Sequence, residues 1–171
     1  MPWWADLRHI PNALTIIRIL LVPCILLLLG TPWGFRLFFF CGVSDLADGF
    51  LARRFNWQSK LGGYLDPIAD KLMMSSLFIA LALNGVFPAW LTYIVLGRDV
   101  AIALGGLILM QFTTLRDFPP TLAGKLSTFC QGMTLLAAMG GWTNRYFNYV
   151  TAAMAVASGL QYAWFRAREL R

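Results

Sequence analysis

Apolar positions along this chain fall into long runs and do not alternate. Six stretches, at about 12–29, 35–52, 61–84, 88–112, 122–140 and 146–165, are predominantly hydrophobic, and short segments rich in Gly, Pro, Asn and charge separate them. Each is long enough, at about 1.5 Å of helical rise per residue, to approach or cross a hydrocarbon core roughly 30 Å thick. The pattern predicts an all-α, polytopic membrane protein: one domain over residues 1–171, with six transmembrane helices. Ahead of the first run, Trp3, Trp4, Arg8 and His9 mark residues 1–11 as a segment lying in the membrane interface. Gly30-Thr-Pro-Trp-Gly34 reads as a turn. No small-x-small cleavage site follows the first run and further runs come after it, so it reads as a retained span and not as a signal peptide.

Composition sharpens this picture. Hydrophobic residues make up 58% of the chain and charged ones 13%, which excludes an ordinary soluble domain. The net charge of +6 is not laid out as a basic stripe with interleaved aromatics, so nucleic acid is not the expected partner. The basic residues flank the apolar runs, which points to membrane lipids with anionic surfaces and to anionic substrates. With both termini in the cytoplasm, Arg8, Arg53, Arg54, Lys60, Arg116, Lys125, Arg166, Arg168 and Arg171 lie on the cytoplasmic side and only Arg36 and Arg145 on the other. That bias satisfies the positive-inside rule and fits a bacterial inner membrane. Cys24, Cys41 and Cys130 show no metal-ligand spacing and read as small apolar residues, while His9 reads as an interfacial polar group. Gly105-Gly106 and Gly140-Gly141 either pack helices closely or end them.

The charge inside the runs is more informative. Asp45, Asp48, Asp66 and Asp70 are half of the chain's 8 acidic residues. At about 100° per residue, Asp45, Asp48, Gly49 and Ala52 share one helix face, and Gly62, Asp66 and Asp70 share another. Four carboxylates converging between neighbouring helices cannot all stay ionised in a poorly hydrated place without cations. Oxygen-only ligation with no His or Cys nearby favours Mg²⁺ or Mn²⁺ over Zn²⁺. Gly49 and Gly62 leave room for a bulky ligand beside the helix backbones. On the predicted topology Asp48 and Asp66 lie roughly 6 to 8 Å from the cytoplasmic helix ends, and Asp45 and Asp70 roughly 12 Å.

Asp45-x₂-Asp48-Gly49-x₂-Ala52-Arg53-x₈-Gly62-x₃-Asp66-x₃-Asp70 resembles the signature of the CDP-alcohol phosphatidyltransferases, integral membrane enzymes of phospholipid synthesis, with all eight signature positions at the family's spacing. The resemblance implies a six-helix enzyme that moves the phosphatidyl group of CDP-diacylglycerol to an acceptor alcohol and releases CMP. It further implies two divalent ions held by Asp45, Asp48, Asp66 and Asp70, with Asp70 also the general base on the acceptor hydroxyl. Gly49, Ala52 and Gly62 would make space for the cytidine, and Arg53 would contact phosphate. Pro11-Asn12-Ala-Leu-Thr15-x₂-Arg18 resembles the start of the family's first helix, which places Asn12, Thr15 and Arg18 along the nucleotide site; helix capping accounts equally well for Asn12. Lys71 is either a counter-ion or a phosphate contact.

For the acceptor, Leu91-Thr92-Tyr93-x₄-Arg98-Asp99-Val100 and Pro120-x₃-Gly124-Lys125-x₂-Thr128-x₂-Gln131 resemble the phosphatidylglycerol branch of the family. The Arg-Asp pair is closer to eukaryotic-type cardiolipin synthases, so phosphatidylglycerol is the expected acceptor and glycerol 3-phosphate the alternative. Either would meet a basic pocket from Arg98, Lys125 and Arg116. A homodimer is compatible with the family plan. Two rival readings of the acids stand beside this one: buried ion pairing with Arg18, Lys71 and Arg98, and an ion or proton pathway, which should spread ionisable groups through the membrane depth and not gather them near one side.

Overall fold

A computed structural model of the chain describes residues 10–55, 60–112 and 122–169, with side chains at 15–45, 66–106 and 122–165. All regular structure among the described residues is helical: α1 (Ile10–Leu27), α2 (Pro32–Phe55), α3 (Lys60–Leu83), α4 (Ala89–Phe112), α5 (Leu122–Met139) and α6 (Arg145–Glu169). These are the six predicted helices, displaced by a few residues at their ends. The interfacial segment expected over 1–11 falls almost wholly outside the described residues. Within α4, Ala89–Gly106 is the one stretch among them long and apolar enough to cross a membrane, and Thr15–Leu27 of α1 is a shorter apolar helix. In α3, Asp66, Asp70 and Lys71 interrupt the apolar run.

The helices form two compact units, one of Met1–Ala80 with Met139–Gly141, the other of Leu81–Ala138 with Trp142–Arg171. In the first unit α1 packs on α2 through a turn built by local chemistry. Gly30 takes φ +80°, a conformation glycine adopts without strain, and ends α1. Thr31 then caps α2: its hydroxyl donates to the Leu28 carbonyl at 2.7 Å and accepts the Gly34 amide at 3.3 Å. Pro32 follows at the first helical position, where its missing N–H costs nothing. The buried residues of this unit include Ile25, Phe38, Met73, Leu77 and Phe78.

The turns after α3 and α5 close with the same hydrogen-bond pattern. Gly85 (φ +73°) ends α3 as Val86 N–H reaches the Leu81 carbonyl at 2.9 Å and Gly85 N–H the Ala82 carbonyl at 3.0 Å. Gly141 (φ +80°) ends α5 as Trp142 N–H reaches the Ala137 carbonyl at 2.7 Å. A Cβ on Gly105 or Gly106 would stand 3.4 and 3.6 Å from the Tyr162 ring and hydroxyl, ordinary van der Waals contact, so α6 lays an aromatic side chain against α4 there. The interior is unusually polar. Thr92, Ser127, Gln131, Thr134, Thr151 and Ser158 are buried, with the Thr134 and Thr151 hydroxyls 2.6 Å apart between α5 and α6. Outward, the same helices expose Tyr93, Leu104, Phe129, Leu160 and Trp164. Polar side chains buried beside Leu91, Val95 and Leu135, with large apolar ones outside, suit helices that pack in lipid.

A methyl group at residue 34 would meet the Leu28 carbonyl oxygen at 2.4 Å, backbone that has no rotamer to yield, whereas one at Gly42 meets open space. Gly34→Ala is therefore expected to destabilise the α1–α2 turn by about 1–3 kcal/mol, while Gly42→Ala leaves the melting temperature unchanged or slightly raised. Thermal unfolding in detergent checks this, and equal shifts for the two variants would show that the turn is not tightly packed.

Candidate active site

Because α2 and α3 are helical throughout the motif, the two acid-bearing faces exist as expected: Asp45, Asp48, Gly49 and Ala52 on one side of α2, and Gly62, Asp66 and Asp70 on one side of α3. The side chains of Asp48, Ala52, Arg53 and Asn12, the surroundings of Gly49 and Gly62, and the whole of Arg116 lie outside the described residues. Asn12 nevertheless sits in the first turn of α1, two residues after its start at Ile10, where a capping role is not expected. Asp45, Asp66 and Asp70 are described, and all three are partly buried.

What organises these acids is α1. Thr15 and Arg18 lie three residues apart on one face of α1, and both are buried, at 2% and 5% exposure. The Thr15 hydroxyl donates to Asp66 Oδ1 on α3. Arg18 NH1 lies 2.5 Å from Asp45 Oδ1 on α2. It meets that oxygen as an ion pair. A single apolar helix thus presents two polar groups, one to each acid row. Their spacing was visible in the sequence, but their targets, 27 and 51 residues away, were not. The side chain of Asp45 remains 44% exposed, so the pair holds one carboxylate oxygen while leaving the group accessible. The second acid row has its own irregularity: Pro67 supplies no N–H, so the carbonyl four residues earlier loses its helical partner in the turn that carries Asp66.

Asp45, Asp66 and Asp70 offer carboxylate oxygens, the donors that hard cations prefer, with the Arg18 guanidinium beside the first and the Thr15 hydroxyl beside the second. Among the described residues, no three acidic, His or Cys side chains stand close enough to hold a metal ion together; Asp48 is not among them.

The residues expected to bind an acceptor lie in the second unit. The Arg98 side chain is buried and already engaged: Nε donates to Ser158 Oγ at 2.8 Å and NH1 to Asp99 Oδ1 at 2.6 Å. Ser158 did not stand out in the sequence, where a serine in an apolar helix looks like any small packing residue. The Arg98 stem runs past Gly159, with 3.6 Å from a would-be Cβ to Arg98 Cγ. Lys125 is exposed in the first turn of α5. Ser127 and Gln131, on the inward face of α5, are wholly buried, and among the described residues neither the serine hydroxyl nor either amide atom of the glutamine has a hydrogen-bond partner.

The family model described as CDP-alcohol phosphatidyltransferase matches residues 8–161. A Mycobacterium tuberculosis protein whose name assigns it provisionally to the cardiolipin synthases is 39% identical over 124 residues, 70% of this chain and 59% of that protein. A cardiolipin synthase (CMP-forming) of Streptomyces coelicolor is 34% identical over 149 residues, covering 78% of this chain and 67% of the relative. The CDP-diacylglycerol–glycerol-3-phosphate 3-phosphatidyltransferase of Bacillus subtilis is 28% identical over 149 residues, 77% of this chain and 76% of the relative. The chain thus spans about three fifths of the length of the mycobacterial relative.

Asp45→Asn leaves the buried Arg18 without its counter-charge and is expected to cost about 3 kcal/mol. Combining it with Arg18→Met should recover most of that loss, because both the charge and its partner are then gone. Melting temperatures of the single and double variants in chelator decide this. A double variant no more stable than Asp45→Asn would mean that the ion pair is not what holds Arg18.

Proposed function

As this chain belongs to the CDP-alcohol phosphatidyltransferase family, we propose that it transfers the phosphatidyl group of CDP-diacylglycerol to the primary hydroxyl of phosphatidylglycerol, releasing CMP and forming cardiolipin. The observation that carries this reading is the pair of acid rows on α2 and α3, each held by a polar group of α1. Asp45, Asp48, Asp66 and Asp70 would hold two Mg²⁺ or Mn²⁺ ions, which when bound neutralise the diphosphate and the charge developing on departing CMP. Gly49, Ala52 and Gly62 leave room for the cytidine, Arg53 contacts phosphate, and Asn12 lies on the same helix as the two α1 anchors. Thr15 fixes the rotamer of Asp66, and Arg18 that of Asp45, so that the carboxylates need not reorganise when the substrate arrives. The acceptor hydroxyl oxygen attacks the β-phosphorus and passes its proton to the Asp70 carboxylate. The phosphorus–oxygen bond to the CMP moiety breaks, and CMP leaves with the bonding electron pair. No covalent enzyme intermediate is required.

Support for a lipid acceptor comes from the names of two relatives and from Arg98. Its guanidinium is committed to Asp99 and Ser158, which leaves less positive charge for a dianionic phosphate than for a monoanionic phosphodiester. The Bacillus relative favours the second reading, glycerol 3-phosphate with Lys125 and Arg116 on its phosphate. The membrane arrangement we propose has six spans with both termini and the acid rows on the cytoplasmic side. The exposed apolar faces of the helices and the positive-inside bias support it.

Purified protein given CDP-diacylglycerol and Mg²⁺ is expected to release CMP faster with phosphatidylglycerol than with glycerol 3-phosphate. Asp66→Asn should lower that rate about a hundredfold or more, and excess chelator should abolish it. Phosphatidylglycerophosphate as the sole product on thin-layer chromatography would reverse the acceptor assignment alone, while cation flux through proteoliposomes with no CMP release would replace the enzyme by a transporter. For topology, a cysteine near Gln58 should react only with a cytoplasmic reagent and one near Gly34 only from the other face; the opposite labelling inverts the orientation.

A further inference from the structure

The second unit holds a cavity of about 520 Å³ that contains none of the acid-row residues. Its walls come from the α3–α4 turn at Gly85–Pro88, from Thr143 and Asn144 before α6, and from Arg145, Asn148 and Tyr149 in the first turns of α6. Trp90 stacks on Tyr149 along one side, ring centroids 5.6 Å apart. The chemistry of the lining is one-sided. Arg145 brings a full positive charge, and Thr143 and Asn148 bring hydrogen-bond donors. Asn144 uses its side-chain oxygen to cap α6, accepting the Tyr146 amide at 3.0 Å, which leaves its NH₂ group as a donor. The positive end of the α6 dipole adds to the same sign. No acidic residue lines the cavity, and none occurs in the sequence over 81–98 or 141–168.

We propose that this cavity binds the phosphodiester headgroup of an anionic phospholipid. The inference rests on the proposed reading of α4 and α6 as membrane spans but does not depend on which side of the membrane the cavity faces. Two observations select a lipid over free phosphate. One arginine balances the single charge of a phosphodiester, whereas a phosphate dianion would call for a second cation. The cavity also lies where both α4 and α6 begin, among exposed aromatic side chains: Trp142 is 74%, Tyr146 77% and Tyr149 61% exposed. Trp and Tyr at helix ends mark the headgroup level of a bilayer, and Tyr93 and Val150, exposed further along the two helices, offer apolar surface to acyl chains. A headgroup in the cavity with its chains running down those helices satisfies both the donors and the apolar flank.

The test is lipid retention by full-length protein released from nanodiscs of equal phosphatidylglycerol and phosphatidylcholine, read by native mass spectrometry. Wild type is expected to retain phosphatidylglycerol preferentially. Arg145→Gln should reduce that retention about five- to tenfold, and Arg145→Lys by much less, since the charge is kept. Arg145 is exposed, so the fold should tolerate both changes, and their melting temperatures verify it. Equal retention of phosphatidylglycerol by wild type and Arg145→Gln overturns the inference. Loss of the lipid from wild type in millimolar inorganic phosphate also overturns it, by making the cavity a free-phosphate site. Alkaline carbonate extraction reads the premise separately: release of wild type from membranes sinks the membrane reading. A carbonate-resistant protein with equal retention in both forms sinks this inference alone.

Discussion

An arginine withdrawn from water must bring a carboxylate with it, and in this protein that requirement decides how the helices are tied together. Among the described residues each compact unit contains one buried guanidinium, Arg18 in the first and Arg98 in the second, and each is held by an aspartate within 2.6 Å. Removing one member of such a pair leaves an uncompensated charge, typically costing about 3–5 kcal/mol, far more than any single apolar contact on these helices offers. The consequences differ. Arg98 reaches the neighbouring Asp99 on its own helix and Ser158 on α6, so it closes a helix–helix joint. Arg18 reaches across to α2, and Thr15 one turn earlier reaches α3, so α1 serves as the brace for both acid rows.

Polar contacts carry this much weight because the usual driving force is missing. Where lipid surrounds the helices, burying Leu against Leu gains little over leaving it in acyl chains, and association relies on close packing and hydrogen bonds. The second unit follows that logic throughout: Thr134 on Thr151, Ser158 on Arg98, and Gly105 and Gly106 beneath Tyr162. Of the large apolar side chains, Phe87, Leu91, Val95 and Leu135 are packed inside with these polar groups, while Tyr93, Leu104, Phe129, Leu160 and Trp164 face outward.

This division explains what could be read from the sequence. Helix positions follow from the apolar runs and from punctuation with a mechanism, as at Gly30, Thr31 and Pro32, where a left-handed glycine, a capping hydroxyl and a donor-free first residue follow one another. The sharing of helix faces by the acids follows from spacing alone. Partner choice does not. Thr15 and Asp66 are separated by 51 residues, and no local rule joins them. Adjacent residues on a helix do not share a face, so the Arg98–Asp99 pair is not an expected contact either; it forms because the arginine side chain is long enough to fold back. The two glycine pairs make the same point. Gly105-Gly106 lies under an aromatic ring and Gly140-Gly141 ends a helix, and the dipeptide alone does not distinguish them.

The brace from α1 also bears on how the acids could accept a cation. A carboxylate whose charge is fully satisfied by a buried arginine would be a poor ligand, since a metal would have to break the pair and strand the guanidinium. Asp45 avoids that conflict: Arg18 approaches one oxygen, while the side chain stays nearly half exposed. Asp66 likewise receives a neutral hydroxyl from Thr15, which orients one oxygen without cancelling the charge. Arg18 therefore offsets part of the mutual repulsion of the acid rows when no cation is present, and Thr15 fixes geometry at no electrostatic cost. A brace with two arginines would satisfy the acids too well, and one with two hydroxyls would leave Asp45 without the charge of Arg18. One of each keeps the rows both folded and available.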